Sequence, residues 1–95
     1  MRKYEIMFIV RPDMEEAEIK TTAEEMKKVL TDLKANIVEE NPMGQKELAY
    51  EIKKFKTGYY YLYVVEAESD AVKEFERVSR INERLLRHLI VKVED

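Results

Sequence analysis

The residues from Gly44 to Val65 constrain this chain more than any other stretch. Gly44-Gln45-Lys46-Glu47-Leu48-Ala49-Tyr50-Glu51-Ile52 and Tyr59-Tyr60-Tyr61-Leu62-Tyr63-Val64-Val65 are two β-prone runs. The basic connection Lys53-Lys54-Phe55-Lys56-Thr57-Gly58 joins them, which is the pattern of a hairpin. The second run is the densest in aromatic and β-branched residues, so it belongs in the middle of a sheet, with neighbours on both sides. Everything before and after must supply the rest of that sheet and a cover for one of its faces.

Upstream, Lys3 to Val10 alternates, with Tyr4, Ile6, Phe8 and Val10 on one wholly apolar face and Lys3, Glu5, Met7 and Ile9 on the other. The first set is predicted to face the core. Arg11-Pro12 ends that strand, because proline lacks a ladder donor. Asp13 followed by Glu16 fits a helix N-cap. Ile19, Ala23, Met26, Leu30 and Leu33 then form one amphipathic stripe. Glu24 and Glu25 lie within helical reach of Lys28, and the charged positions read as a solvated face. Lys34-Ala35-Asn36 closes the helix, and a second strand starts at Ile37-Val38. That strand is expected to be interrupted by a bulge or loop at Asn41-Pro42-Met43-Gly44, to resume at Glu47 and to end at Ile52. Its proline suits an edge position.

Downstream, Ser69 or Asp70 is expected to cap a second helix with Ala71, Phe75, Val78 and Ile81 inward, stopped by a left-handed Asn82. Leu85 to Val93 makes a last, largely apolar strand. The order strand-helix-strand-strand-helix-strand predicts an α+β, ferredoxin-like split βαβ fold over a single domain, residues 1–95. In it a four-stranded antiparallel sheet carries both helices on one face. The first and third strands are central, and the other face is open to a partner.

Composition narrows the chemistry. Cysteine is absent, which removes disulfides, thiolate metal sites and thiol catalysis. No apolar run approaches the ~20 residues of a membrane span. The N-terminus enters a strand pattern directly, so a cytoplasmic protein without a secretory signal is expected. His88 is the only histidine, without a second ligand or a nucleophile beside it. With only Gly44 and Gly58, there is no glycine-rich phosphate loop. Acylphosphatase has this topology, but Arg11-Pro12-Asp13 lacks the glycine-containing anion loop it needs. These observations exclude an evident enzyme, cofactor or small-molecule substrate.

Two binding readings remain. RNA-recognition-motif domains share the topology and stack bases on third-strand aromatics. Gly58-Tyr59 and Tyr61-Leu62 fit their signature, whereas Thr57, Tyr60 and Val64 do not. The other reading of these tyrosines is a central strand packed under helices on one side and covered by a protein on the other. The formal net charge of −3 opposes a generic nucleic-acid binder, yet the charges are segregated. Acidic residues crowd the first half, while Arg2, Lys3, Arg84, Arg87 and Lys92 gather where the first and last strands pair. Such an edge either positions RNA phosphates or guards against edge-to-edge aggregation.

The chain as a whole resembles the ribosomal protein S-six family of the bacterial small subunit. The residues that carry the resemblance are Arg2-Lys3-Tyr4-Glu5, Arg11-Pro12-Asp13, Gly44 with Leu48-Ala49-Tyr50-Glu51-Ile52, Gly58-Tyr59, Arg80-Ile81-Asn82 and Arg87-His88-Leu89-Ile90-Val91-Lys92. The resemblance implies a ribosomal location and no catalysis. It also implies binding of small-subunit (16S-type) ribosomal RNA together with ribosomal protein S-eighteen during assembly. By position it implies Arg2, Lys3, Arg87 and Lys92 for RNA, and Lys46, Leu48 and Tyr50 for the protein partner. Relatives usually carry two basic residues where this chain has Lys46-Glu47, so no phosphate contact is expected from position 47. Many also extend beyond the last strand, and the tail is expected to be absent after Glu94-Asp95. The rivals are an autonomous single-strand binder using Tyr59, Tyr61 or Tyr63, and a regulatory or oligomerising module without nucleic acid.

Overall fold

The computed structural model describes residues 1–93. Glu94 and Asp95, and with them the expectation about a missing tail, lie outside the described residues. The elements are β1 (Arg2–Val10), α1 (Glu16–Asp32), β2 (Asn36–Ile52), β3 (Phe55–Ala67), α2 (Ser69–Ile81) and β4 (Leu85–Val93). They form one antiparallel sheet in the order β2-β3-β1-β4, the predicted ferredoxin-like arrangement with β1 and β3 central.

Register explains the core. Tyr4, Ile6, Phe8 and Val10 pair with Val65, Tyr63, Tyr61 and Tyr59 of β3, so all eight side chains leave the same face of the sheet. That face packs against Ile19, Ala23, Met26 and Leu30 of α1 and Ala71 and Phe75 of α2. Phe8 lies at its centre, stacked on Tyr61 at 5.2 Å between ring centroids and edge-on to Tyr63 at 5.5 Å. Removing a ring so placed costs about 3–5 kcal/mol.

Several local expectations differ. Asp13 does not cap α1. Arg11 holds it in a two-pronged pair at 2.8 and 2.9 Å, and the N-cap is Glu15, with no side-chain cap bond. With Arg11 the Asp13 carboxylate makes two parallel bonds to a cation, where a cap would give it bonds to backbone N–H groups alone. Likewise α2 starts after Glu68 rather than on a Ser69 or Asp70 cap. Leu33, just past the end of α1, and Ile81, the last residue of α2, are 37% and 67% exposed rather than inward. Lys28 pairs with Asp32 instead of Glu24 or Glu25, and Glu25 reaches Arg84 at 3.8 Å. Asn82 is not left-handed. Its φ is −86°, and its Oδ1 accepts from the Arg84 backbone N–H at 3.0 Å, a local turn that asparagine favours.

The hairpin also departs from its sequence outline. β2 is continuous through Pro42, which stands opposite Tyr61, and the bulge expected at Asn41–Gly44 is the register shift at Pro42/Gly44; two more shifts lie at Ile37/Glu39 and Glu47/Ile52. Pro42 is tolerated because β2 is an edge strand. The connection shrinks to Lys53-Lys54, both left-handed (φ 49° and 71°), between the paired Ile52 and Phe55. Two consecutive positive φ values make a type I′-like turn, whose twist matches that of the flanking strands. β3 therefore starts at Phe55, four residues before Tyr59.

Candidate nucleic-acid and protein interface

The face of the sheet opposite the helices carries the odd residues of β1 and their partners. Its rows run across β3, β1 and β4 as Glu66-Lys3-Val93, Val64-Glu5-Val91, Leu62-Met7-Leu89 and Tyr60-Ile9-Arg87. Leu89 and Val91 are 45% and 46% exposed, and Met7, Leu62, Val64 and Tyr60 are half-buried. No helix covers this band. It is largely apolar, with the exposed Glu5 in its second row, Lys3 at one end and Arg87 at the other, and Lys46 of β2 borders it opposite Gly58.

The same parity decides the aromatic question. Tyr59, Tyr61 and Tyr63 leave the helix side of β3, and Tyr63 is only 2% exposed. Burial, reinforced by Glu40 and Glu24, raises the Tyr63 phenol well above the ordinary tyrosine range. These rings cannot offer stacking platforms without unpacking the core. Of the tyrosine run, only Tyr60 shares the open face.

The four basic residues expected at RNA occupy one strand pair but not one surface. Lys3 pairs with Val93 and Lys92 with Tyr4, so the ends of β1 and β4 meet as the topology required. Lys92, opposite the buried Tyr4, leaves the helix side, as does Arg2, opposite the buried Ala67. Lys3 and Arg87 leave the open side. Arg87 stands opposite Ile9, roughly 23 Å along the strand from Arg2 at about 3.3 Å per residue. Arg2, Arg87 and Lys92 are exposed and Lys3 half-buried.

A contact that strand order alone forbids brings the two predicted sets together. β2 and β4 are opposite edges, three strand spacings or roughly 14 Å apart. Yet the Arg87 guanidinium donates to the Tyr50 hydroxyl and lies over its ring, 5.8 Å from the centroid. The reason is the last register shift. Between Glu47 and Ile52 the β2 strand carries more residues than β3 does between Phe55 and Thr57, which bends the hairpin. Residues 47–58 extend past the end of β1 at Val10 and curl towards the start of β4. Arg11, 5.2 Å from the Phe55 ring, holds the base of the same extension. Leu48 is half-buried at its side, beside Glu47, Glu51, Lys56 and Thr57. Arg87 and Tyr50 were expected on separate edges, for RNA and for protein respectively, but they form one site.

A cleft of about 230 Å³ lies between the last turn of α2, the start of β4 and the hairpin turn. Lys53, Ser79, Arg80, Asn82, Glu83, Arg87 and His88 are the polar residues along it. The sequence signal for it was weak, since Lys53, Ser79 and Arg80 come from segments that share no motif.

Comparison with known proteins gives this geometry a setting. The model of the family described as Ribosomal protein S6 matches residues 3–92. The chain belongs to the ribosomal protein S6 family. Small ribosomal subunit protein bS6 of Halalkalibacterium halodurans is 48% identical over 95 residues, covering 100% of both chains. That of Shouchella clausii is 47% identical over 94 residues, 99% of each. The crystal structure of 30S ribosomal protein S6 from Thermotoga maritima superposes with a TM-score of 0.92 at 31% identity, over 97% of this chain and 87% of that one. The chain is thus a structural protein of the small ribosomal subunit and not an enzyme.

Proposed function

We propose that the chain binds small-subunit ribosomal RNA jointly with ribosomal protein S-eighteen. The observation that carries this reading is the uncovered apolar band Leu62-Met7-Leu89 and Val64-Val91, bordered by Lys3, Arg87 and Lys46. An apolar face rimmed by polar and basic groups has the make-up of a protein interface. Lys46, Leu48 and Tyr50 extend it along the hairpin. Arg2, Lys3, Arg87 and Lys92 lie along the β1–β4 pair, where they meet phosphates as the RNA passes. With a net charge of −3, the chain alone makes few net-favourable phosphate contacts, and a basic partner adds the rest.

The isolated chain is therefore expected to bind its RNA poorly and to gain strongly when the partner protein is added. Filter binding at one salt concentration tests this, and equal retention with and without the partner sinks the joint-binding reading. In the complex, Arg2→Ala with Arg87→Ala should flatten the dependence of affinity on salt. An unchanged slope would move the RNA to another surface.

A further inference from the structure

We propose that the groove between α1 and β2, on the helix side of the sheet, binds an arginine side chain of a protein that docks there. Register builds its floor. Glu40 pairs with Tyr63 and Pro42 with Tyr61, so the edge strand sets a carboxylate and a proline ring beside the two tyrosines on the face that the helices cover. Lys20, Ala23 and Glu24 of α1 form the other wall of a cleft of about 400 Å³. The short side chains of Ala23 and Pro42 leave it unfilled. Lys27 closes one end, its Nζ 3.0 Å from each Glu40 carboxylate oxygen. Tyr63 marks the cleft as a site. It is 2% exposed, and its hydroxyl has no hydrogen-bond partner among the described residues. That hydroxyl is not sealed in, because among the described residues only Ser79 Oγ combines a missing partner with no accessible surface. The trace of Tyr63 that stays accessible opens into the cleft it lines.

Charge decides what fits. Lys20 pairs with Glu16 at 3.5 Å and Lys27 with Glu40, which leaves Glu24 exposed and without an ion pair among the described residues. The local balance is therefore negative, and α1 as a whole carries five carboxylates against three lysines. Such a place repels RNA phosphates and attracts a cation. Burial holds the Tyr63 phenol well above the ordinary tyrosine range, so its hydroxyl is neutral and can accept a hydrogen bond. Tyr61 keeps one face on Phe8 and gives the wall only its half-buried remainder, which offers no open ring for a base to stack on. An arginine answers each of these features. Its methylene stem covers Ala23 and Pro42, as long charged side chains do on apolar surface. Its planar fork has donors for the Glu24 carboxylate and the Tyr63 hydroxyl at once. Its charge offsets the unpaired one of Glu24. A lysine brings the charge, but all its donors sit on one atom, so it suits two separated acceptors less well.

The groove lies on the face opposite the apolar band, so it stands or falls independently of the function proposed above. Amide and tyrosine-ring NMR signals of the full chain, titrated at constant ionic strength with a blocked Gly-Arg-Gly peptide, test it. Saturating shifts confined to residues 20–24, 40–42 and 61–63 are the expected result. The same peptide with citrulline, which keeps the shape of arginine and loses its charge, should give none, and with lysine it should bind more weakly. Glu24→Gln should weaken binding of the arginine peptide on the order of tenfold, the loss of a charged hydrogen bond, and Tyr63→Phe about fivefold, the loss of a neutral one. Both variants keep the fold, since Glu24 is exposed and Tyr63→Phe retains the buried ring; melting temperatures near that of the wild type at neutral pH check this. Absence of saturating shifts overturns the proposal, as do equal shifts from the citrulline peptide or unaltered binding in both variants. Shifts of the same segments by a short oligouridylate, and not by the arginine peptide, would overturn it in favour of RNA.

Discussion

Gly58 stands opposite Lys46 on β2, on the open face of the sheet. A Cβ there would overlap the Ile9 Cγ2 methyl and come within 3.4 Å of the Val10 carbonyl oxygen and 3.5 Å of Leu86 Cδ1. Ile9 is 2% exposed and β-branched, so its methyl has no free rotamer to retreat into. Gly58→Ala is therefore expected to destabilise the fold by about 1–3 kcal/mol. Urea unfolding reads this, and a midpoint equal to that of the wild type contradicts it. A second single-residue effect lies in Tyr63, whose phenol burial raises far above its ordinary value of 10.0. A raised folded-state pKa means that the folded chain keeps a proton the unfolded chain gives up. The corresponding stability is complete below about pH 10 and is lost as pH rises towards the folded value. Alkaline unfolding followed by circular dichroism should begin above about pH 10 and move to higher pH in Tyr63→Phe, with little change at neutral pH.

At the scale of elements, the Lys53-Lys54 turn carries the clearest local cost. Both lysines hold positive φ, where a Cβ crowds the backbone by about 1 kcal/mol or more per residue. Lys54→Gly should raise stability by about 1 kcal/mol and leave Lys53 at the cleft. Thermal melts check this, and a lowered melting temperature would mean that the Lys54 side chain packs where the fold needs it. This turn also marks how far the sequence could be read. Alternation in Lys3–Val10 and the four-three spacing from Ile19 to Leu30 specified faces and partners, because burial on one side imposes those periods. Strand order followed from topology. The path of β2 did not, since its exposed charged residues carry no period and its bulges are local backbone events. Of the site, the pairing of Lys3 and Lys92 with the opposite strand ends was legible from antiparallel order. The meeting of Tyr50 with Arg87 was not, because it depends on the bend that extra residues put into the hairpin. The cleft around Ser79 depends on that same bend.

The whole molecule presents one covered sheet face and one bare one, and the bare face gives the most direct test of how this protein enters its assembly. Met7 sits at its centre, between Leu62 on β3 and Leu89 on β4. In the free chain this side chain is half-buried beside the half-buried Leu62 and the exposed Leu89, so a carboxylate at that place keeps much of its water. Met7→Glu should cost the isolated fold no more than about 1 kcal/mol, in line with substitutions away from the core. Once a partner protein covers the band, the same carboxylate loses its water beside the Glu5 carboxylate one row away, while Lys3 is two rows away and Arg87 is engaged with Tyr50. An unpaired charge buried in that way costs several kcal/mol, enough to abolish a complex of ordinary affinity. Met7→Glu is thus expected to melt almost as the wild type does, to fail to co-elute with the partner and to lose the partner-dependent gain in RNA retention. A basic residue at that position is excluded by the same burial, so Met7→Lys should fail alike, which separates burial from simple repulsion by RNA. Co-elution of either variant at wild-type levels would place the partner on another face and leave the apolar band unexplained.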